Sequence, residues 1–282
     1  MIEFRDVYFR YAKKNPDVLK GISFKITDGE LVALVGKNGA GKTTLLKHII
    51  GLLKPTKGEV WINNENIIKK PISELAQTVG LAFQNPNHQL FAETVEKELA
   101  FGPKNLGMPE EEQERMVQKI AENFNITHLL QKSPLELSGG ERRLVSIASV
   151  LTMGQKILVL DEPTFGQDYR QKKRLGTYLC DLRNKGITVF IVTHDIDFIL
   201  DYFPRVIVLV DGQIIADGES KTILQDELLI QQADLEKPIL LEIQEKVAKM
   251  TNQEYLPATS EVEFIEKFKD ILLQAASQEG KK

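Results

Sequence analysis

The first thirty residues alternate between apolar and polar positions. Phe4, Val7 and Phe9 lie among polar residues, and residues 22–26 alternate strictly. This period of two predicts strands with one buried face. Four later segments are almost entirely apolar runs: residues 31–35, 157–160, 188–192 and 205–210. Such runs predict strands that are buried on both faces of a parallel sheet.

Segments with a helical period separate these runs. Helices are predicted over four stretches: residues 43–53, much of 95–133, 138–151 and 171–185. Within the second stretch, Met116, Ile120 and Phe124 share one face. Because helices alternate with buried strands, the sequence predicts an α/β fold with a mostly parallel sheet. The helical middle of the chain, about residues 87–150, is predicted to be an inserted subdomain.

The end of the chain has a different pattern, and we place a domain boundary near residue 220. Residues 221–282 are predicted to form a helical extension, in which Leu240, Ile243, Val247 and Met250 make an apolar stripe. Ser260 and Glu263 fit a capping box that opens a further helix. The stripe either packs on the chain's own core or meets the same region of a second subunit.

Composition narrows the class of protein. Of 282 residues, 42% are apolar and 27% charged, and the formal net charge is −4. This balance gives no general attraction to nucleic acid or to anionic lipid. The single cysteine, Cys180, excludes an intramolecular disulfide, and no apolar run approaches the ~18 residues of a membrane span. We therefore expect a globular, cytosolic protein.

The strongest chemical signal is the segment Gly36-Lys37-Asn38-Gly39-Ala40-Gly41-Lys42-Thr43. It fits the P-loop pattern G-x-x-x-x-G-K-[ST], and it lies between a buried strand and a helix, as that motif requires. Its glycines let backbone N–H groups approach phosphate oxygens, Lys42 is expected to bridge the β- and γ-phosphates, and the Thr43 hydroxyl is expected to bind Mg²⁺. An ordinary glycine-rich turn is the alternative.

Two buried strands end in titratable residues. Asp161 and Glu162 follow the run at 157–160, and His194 follows the run at 188–192. The carboxyl edge of a parallel sheet is where α/β folds bind ligands. We expect Asp161 to hold Mg²⁺, Glu162 to polarise the attacking water and His194 to reach the γ-phosphate. A structural histidine is the alternative for the last position.

A second glycine pair opens the helix predicted at 138–151. In Leu137-Ser138-Gly139-Gly140-Glu141, the helix N-terminus offers a further anion-binding surface. One nucleotide site does not need two phosphate-binding segments. The segment at 137–141 is therefore expected to cover a nucleotide that the P-loop of another subunit holds. A plain helix cap by Ser138 is the alternative.

These motifs and their order resemble the ATP-binding cassette (ABC) ATPases over residues 1 to about 220. The resemblance implies a P-loop NTPase core with an antiparallel β subdomain and an ATP-sandwich dimer. In that dimer, one subunit would bind ATP through Gly36 and residues 38–44, which end at Thr44. The other subunit would bind the same ATP through Ser138, Gly139 and Gly140. It also implies that Gln84 senses Mg²⁺ and water, that Asp168 lies on the dimer interface and that Tyr11 stacks on adenine.

Residues 83–92 and 101–107 narrow the resemblance to the ATPases of energy-coupling factor (ECF) transporters. For these the resemblance implies a second ATPase, identical or paralogous, a transmembrane transmitter subunit and a substrate-binding membrane subunit. A helix of the transmitter would rest beside Gln84. The ATPases would lie at the cytoplasmic face of the membrane, touch it only through partners, and energise uptake of a vitamin or metal ion.

Two residues depart from the ABC pattern. Glu141 stands where glutamine is usual, and Gln167 stands where leucine usually precedes the aspartate. They leave a catalytically weak paralogue in a heterodimer as one alternative. An ABC ATPase of DNA repair or translation is another. Lys42 and Ser138 are 96 positions apart, which leaves no space for the long coiled coil of repair members, and the single P-loop differs from the two cassettes usual in translation-associated members.

Overall fold

The computed structural model describes residues 1–251, 264–266 and 268–269. The strands of these residues are β1 (Ile2–Phe9), β2 (Leu19–Ile26), β3 (Leu31–Val35), β4 (Lys57–Ile62), β5 (Glu65–Asn66), β6 (Val79–Ala82), β7 (Ile157–Asp161), β8 (Thr188–Val192), β9 (Arg205–Val210) and β10 (Gln213–Glu219). The helices up to residue 251 are α1 (Lys42–Ile49), α2 (Ile72–Leu75), α3 (Val95–Asn105), α4 (Glu110–Phe124), α5 (Gly139–Leu151), α6 (Tyr169–Asn184), α7 (Ile196–Tyr202), α8 (Ser220–Ile223), α9 (Glu227–Ala233) and α10 (Ile239–Thr251).

The strands form two sheets. The larger has the order β10-β9-β3-β8-β7-β6, and every neighbouring pair in it is parallel except β10 with β9. The smaller sheet, β2-β1-β4-β5, is antiparallel. Helices α3, α4 and α5 are inserted between β6 and β7. The predicted α/β fold, with its parallel core, antiparallel β subdomain and inserted helices, is confirmed.

Two apolar layers bury the parallel sheet from opposite sides. On β3, Val32 and Leu34 pack with Phe4 and Phe24 of the antiparallel sheet. Leu31, Ala33 and Val35 point to the other layer, which the inserted helices and α6 complete. This division explains why β3 reads as a continuous apolar run, since each face of the strand meets its own core.

Helix α1 ends earlier than its pattern predicted. The expected end was residue 53, but the helix stops at Ile49. Gly51 follows with φ +73°, and a Cβ at that position would lie 2.5 Å from the side chain of Leu75. A glycine in the left-handed region is a common helix terminator, and it takes precedence here over the apolar period of the next residues.

The apolar stripe predicted for the C-terminal extension is not the buried face of α10. Leu241 and Gln244 are the buried positions, whereas Ile243 is 42% exposed. Leu240 and Val247 are half-buried, so packing on the chain's own core and contact with a second subunit both stay predictions for the stripe. The capping box at Ser260 and Glu263 lies outside the described residues. No helix in the described part of the chain has the length and apolarity to cross a membrane.

Candidate active site

The glycine-rich loop after β3 curls around its own lysine. Lys42 is buried, and its Nζ donates to the backbone carbonyls of Gly36 at 2.5 Å and Lys37 at 3.1 Å. Gly36 has φ +146°, and a Cβ there would lie 2.0 Å from the carbonyl oxygen of Leu209 on β9. The loop can pass this close to the sheet only because the residue is glycine. It thereby holds a cation at the N-terminus of α1, an arrangement that binds anions.

A cleft of about 690 Å³ opens above this loop. Most of the site residues predicted from the sequence line it: Tyr11, Asn38, Gly39, Gly41, Lys42, Thr43, Thr44, Gln84, Asp161, Glu162 and His194. Gly36 and Ala40 belong to the loop but are buried behind the lining. The volume and the lining together suit a nucleotide with its phosphates on the loop.

The two carboxyl residues lie at the end of β7. Asp161 is the last residue of the strand, and the backbone N–H of Glu162 donates to the carbonyl of Val192 on β8 at 2.8 Å. Glu162 has φ +51°, in the left-handed region, which is costly for a residue with a side chain. Its Oε2 accepts from the backbone N–H of His194 at 3.3 Å, and its Oε1 lies 3.5 Å from His194 Nε2.

Burial determines the protonation of these groups. Burial, together with the negative charge of Asp161, raises the pKa of the Glu162 carboxyl to about 7, against the opposing effect of the His194 backbone N–H. Burial likewise raises the pKa of Asp161 and lowers those of Lys42 and His194. At neutral pH the imidazole is therefore neutral, and Glu162 is poised between its two protonation states.

Tyr11 stands at the mouth of the cleft. Its hydroxyl lies 2.9 Å from Thr44 Oγ1, and its ring packs edge-on against Phe9 with centroids 5.0 Å apart. The side chain is nevertheless 56% exposed. These contacts fix the ring at the entrance with one face available, so stacking on a base stays a prediction that the geometry permits.

The second glycine pair and Asp168 lie outside the cleft. Ser138 is the N-cap of α5, and Asp168 is the N-cap of α6 with its Oδ1 accepting from the Gln171 N–H at 2.8 Å. Ser138, Gly139 and Asp168 are all exposed. The chain by itself therefore brings together one part of the predicted site and leaves the other part on its surface.

Glu141 and Gln167, the two residues that depart from the ABC pattern, both make contacts beside the second glycine pair. The Glu141 carboxylate accepts from the Ser138 hydroxyl at 2.7 Å and from the Ser138 N–H at 2.8 Å. Buried Gln167 donates through Nε2 to the carbonyl of Gly140 at 3.4 Å. In this chain, then, a carboxylate engages the exposed serine, and an amide connects the glycine pair to the loop before α6.

Sequence reasoning missed three contributions. Phe165 and the segment 234–236 also line the cleft, and nothing in their local pattern indicates it. Arg143 is buried against the backbone on which Asp161 and Glu162 lie. A signal for Arg143 does exist, because the helical period places it on the same face as buried Ile147 and Val150.

Fold and cleft together define a class of protein, the P-loop nucleoside triphosphatases. The parallel sheet carries a lysine-containing phosphate loop after β3 and a pair of carboxyl residues after β7. The family model described as "ABC transporter" matches residues 19–165. The chain belongs to this ABC transporter family and is an ATP-binding ATPase.

Relatives with curated names and solved structures agree. An "Energy-coupling factor transporter ATP-binding protein EcfA" of Methanocaldococcus jannaschii is 44% identical over 254 residues, which cover 89% of this chain and 91% of that protein. The structure of cbiO1 from Clostridium perfringens, described as part of the ABC transporter complex cbiONQ, matches with TM-score 0.74 and 34% identity over 86% of this chain and 98% of that one. A dimeric ATP-binding cassette bound to ADP and Pi matches with TM-score 0.71 and 28% identity over 78% and 99%.

The pKa of Glu162 leads to a stability prediction for the nucleotide-free protein. The carboxyl ionises near 4.5 in the unfolded chain and near 7 in the folded one, so the folded state loses stability as pH rises from 4.5 to 7. Glu162→Gln keeps the shape and the backbone conformation but removes this penalty. We expect it to stabilise the protein at pH 8, by at most on the order of 3 kcal/mol, and much less at pH 5.

Thermal unfolding at the two pH values measures the effect. Glu114→Gln, at an exposed position of α4, is the matched control and should change stability little at either pH. Equal unfolding midpoints for Glu162→Gln and the parent protein at pH 8 would contradict the assignment.

Proposed function

We propose that the chain is the ATP-hydrolysing subunit of an ECF-type ABC importer, acting in a dimer that holds ATP between its two subunits. The observation that carries this is the meeting of Lys42, Glu162 and His194 in one cleft at the edge of the parallel sheet. The similarity to EcfA and cbiO1 supports the transporter type.

Each of these three side chains has a defined part in the reaction. Lys42 places a positive charge where the phosphates of ATP bind. Glu162 orients the attacking water and accepts its proton, and a pKa of about 7 suits that exchange at neutral pH. The backbone N–H of His194 donates to the Glu162 carboxyl and holds it in place. The neutral imidazole keeps its single N–H to offer to the γ-phosphate.

The cleft also suits Mg²⁺. Thr43, Gln84 and Asp161 line it and offer a hydroxyl, an amide and a carboxylate oxygen. Mg²⁺ is commonly held by one or two carboxylates together with substrate phosphates, so this oxygen set fits it. When bound, the ion would neutralise charge on the phosphates. Burial raises the pKa of Asp161, and the charges of Arg143 and Lys42 offset part of that effect.

A second ATPase, identical or paralogous, would complete the site. Ser138, Gly139, Gly140 and Asp168 lie outside the cleft, which supports their use toward a nucleotide held by the partner. Exposed aromatic rings flank Asp168, since Phe165 and Tyr169 are each 75% exposed. Large aromatic side chains are common anchors of protein interfaces. The exposed Ile243 of α10 supports a further contact between the C-terminal regions.

The transmitter subunit would bind beside Gln84. Phe91 and Phe101 are 65% and 46% exposed, and their rings meet edge-on at 4.7 Å. Gln89 connects this surface to α5, because its amide donates to Ser149 Oγ at 3.0 Å. An apolar face on a rigid support suits a helix of a membrane subunit. The chain would then work at the cytoplasmic face of the membrane, and the substrate-binding membrane subunit would select the vitamin or metal ion.

Glu162→Gln tests the assignment of the reaction. Turnover should fall nearly to background because no carboxylate remains to accept the proton of water, while ATP binding and the ATP-dependent dimer should persist. Phosphate release, nucleotide affinity and sedimentation with ATP and Mg²⁺ provide the measurements. Turnover at the level of the parent protein would refute the role of Glu162. Extraction of this variant from native membranes should bring down a polytopic membrane protein, whereas ribosomal or DNA-bound partners would refute the transport role.

Phe91→Ser tests the docking surface. It removes an exposed ring and leaves the cleft unchanged, so we expect the membrane protein to be lost from the extraction while nucleotide affinity stays the same. Leu135→Ser, at another exposed apolar position (82%), is the control and should retain the membrane protein. Equal recovery with both variants would place the transmitter elsewhere.

Glu141→Gln tests the departure at the second glycine pair. The carboxylate engages the Ser138 hydroxyl and adds negative charge where the partner's nucleotide would bind. In the Glu162→Gln background, Glu141→Gln should therefore lower the ATP concentration for half-maximal dimerisation about two- to five-fold, and less at high salt. The capping box of Ser133 and Glu136 offers a matched control, and Glu136→Gln should have no effect. No change for Glu141→Gln would show that the charge is irrelevant to dimer formation.

A further inference from the structure

One buried side chain binds both catalytic loops of the cleft. The guanidinium group of Arg143, on α5, donates through Nη1 to the carbonyls of Phe83 at 2.7 Å and Gln84, and through Nη2 to the carbonyls of Asp161 at 2.6 Å and Glu162. These carbonyls lie just beyond or at the ends of β6 and β7, two neighbouring parallel strands. Arg143 therefore bridges the residues proposed to sense Mg²⁺ and to activate water.

The contact set is unusual for a charged group. Arg143 is 3% exposed, and its Nε has no hydrogen-bond partner. Burial lowers the pKa of its guanidinium group, and the negative charges of Asp161 and Glu162 oppose that effect only in part. Four backbone carbonyls compensate it, and the rigid planar fork of a guanidinium suits such a set, whereas a lysine ammonium has only three donors at one point.

Helix α5 carries Arg143 and also begins at the exposed second glycine pair. Ser138 is its N-cap, and the carbonyl of Gly140 is bound by Gln167 of the loop before α6. A helix with packed side chains moves largely as one body. A displacement at its exposed N-terminus would therefore reach the guanidinium group five residues further along the chain.

We propose that Arg143 is a positioning residue that fixes the backbone of Gln84 and of Asp161-Glu162 relative to α5. It thereby couples the binding of a partner's nucleotide at Ser138 to the orientation of the Glu162 side chain in the same chain. The coupling part of this inference rests on the proposed function, in which Ser138 meets the partner's nucleotide. The positioning part depends only on the contacts within the chain.

Steady-state ATPase kinetics of full-length Arg143→Met and Arg143→Lys provide the main test. Arg143→Met should lower kcat by roughly 100-fold, because a small misplacement of a reacting group has an effect of that size, while KM and nucleotide affinity stay within about threefold. Arg143→Lys, which keeps the charge but loses the fork, should recover part of kcat. Arg115→Met, on the exposed face of α4, is the control and should match the parent protein.

Hydrogen exchange of the nucleotide-free protein separates this inference from the proposed function. Amides of residues 83–85 and of Asp161 and Glu162 should exchange faster in both Arg143 variants than in the parent protein, even if the parent protein shows no turnover. Unchanged exchange in these two loops would overturn the inference, and so would an unchanged kcat. A parallel loss of kcat, nucleotide affinity and thermal stability would also overturn it, since it would indicate a structural role alone. If Arg143→Met does not fold, Arg143→Lys decides by the same readouts.

Discussion

The parallel pairing of β7 with β8 sets the geometry on which the cleft depends. Asp161 pairs with Val192, and the ladder extends by one bond as the Glu162 N–H donates to the Val192 carbonyl. This brings Glu162 to His194, which lies 32 residues further along the chain. A slip of one residue would turn every side chain of β7 to the opposite face. The two apolar layers prevent such a slip, because each face of the sheet has its own set of partners.

Burial of the charged side chains at this edge of the parallel sheet makes the site reactive and lowers the stability of the folded protein. Lys42, Arg143, Asp161 and Glu162 are all less than a tenth exposed, so each loses hydration and only partly regains the lost free energy from its neighbours. The left-handed backbone at Glu162 adds strain. Such local costs persist only where the surrounding structure supports them, and the two continuous cores of the sheet provide that support.

The sequence predicted those features that local patterns determine. The continuous run at 31–35 implied a strand between two cores, and the P-loop pattern placed Lys42 at the start of a helix. Features that depend on tertiary contacts were missed. The period of α5 could place Arg143 on a buried face, but not identify as its partners four carbonyls from two distant loops. The sequence likewise left open which side of α10 is buried, because apolar spacing alone does not show which side of a helix the rest of the chain covers.

The division of the site between cleft and surface has a physical consequence. Ser138 and Asp168 each cap the helix that they begin, so these polar groups are satisfied within the chain itself. A nucleotide engaging Ser138 must compete with its bonds to Glu141. Assembly therefore costs free energy at the point where the second subunit would complete the site, and only a ligand that offers several anionic acceptors at once compensates that cost. In the proposed dimer, the triphosphate is such a ligand, which would make closure depend on the nucleotide to be hydrolysed.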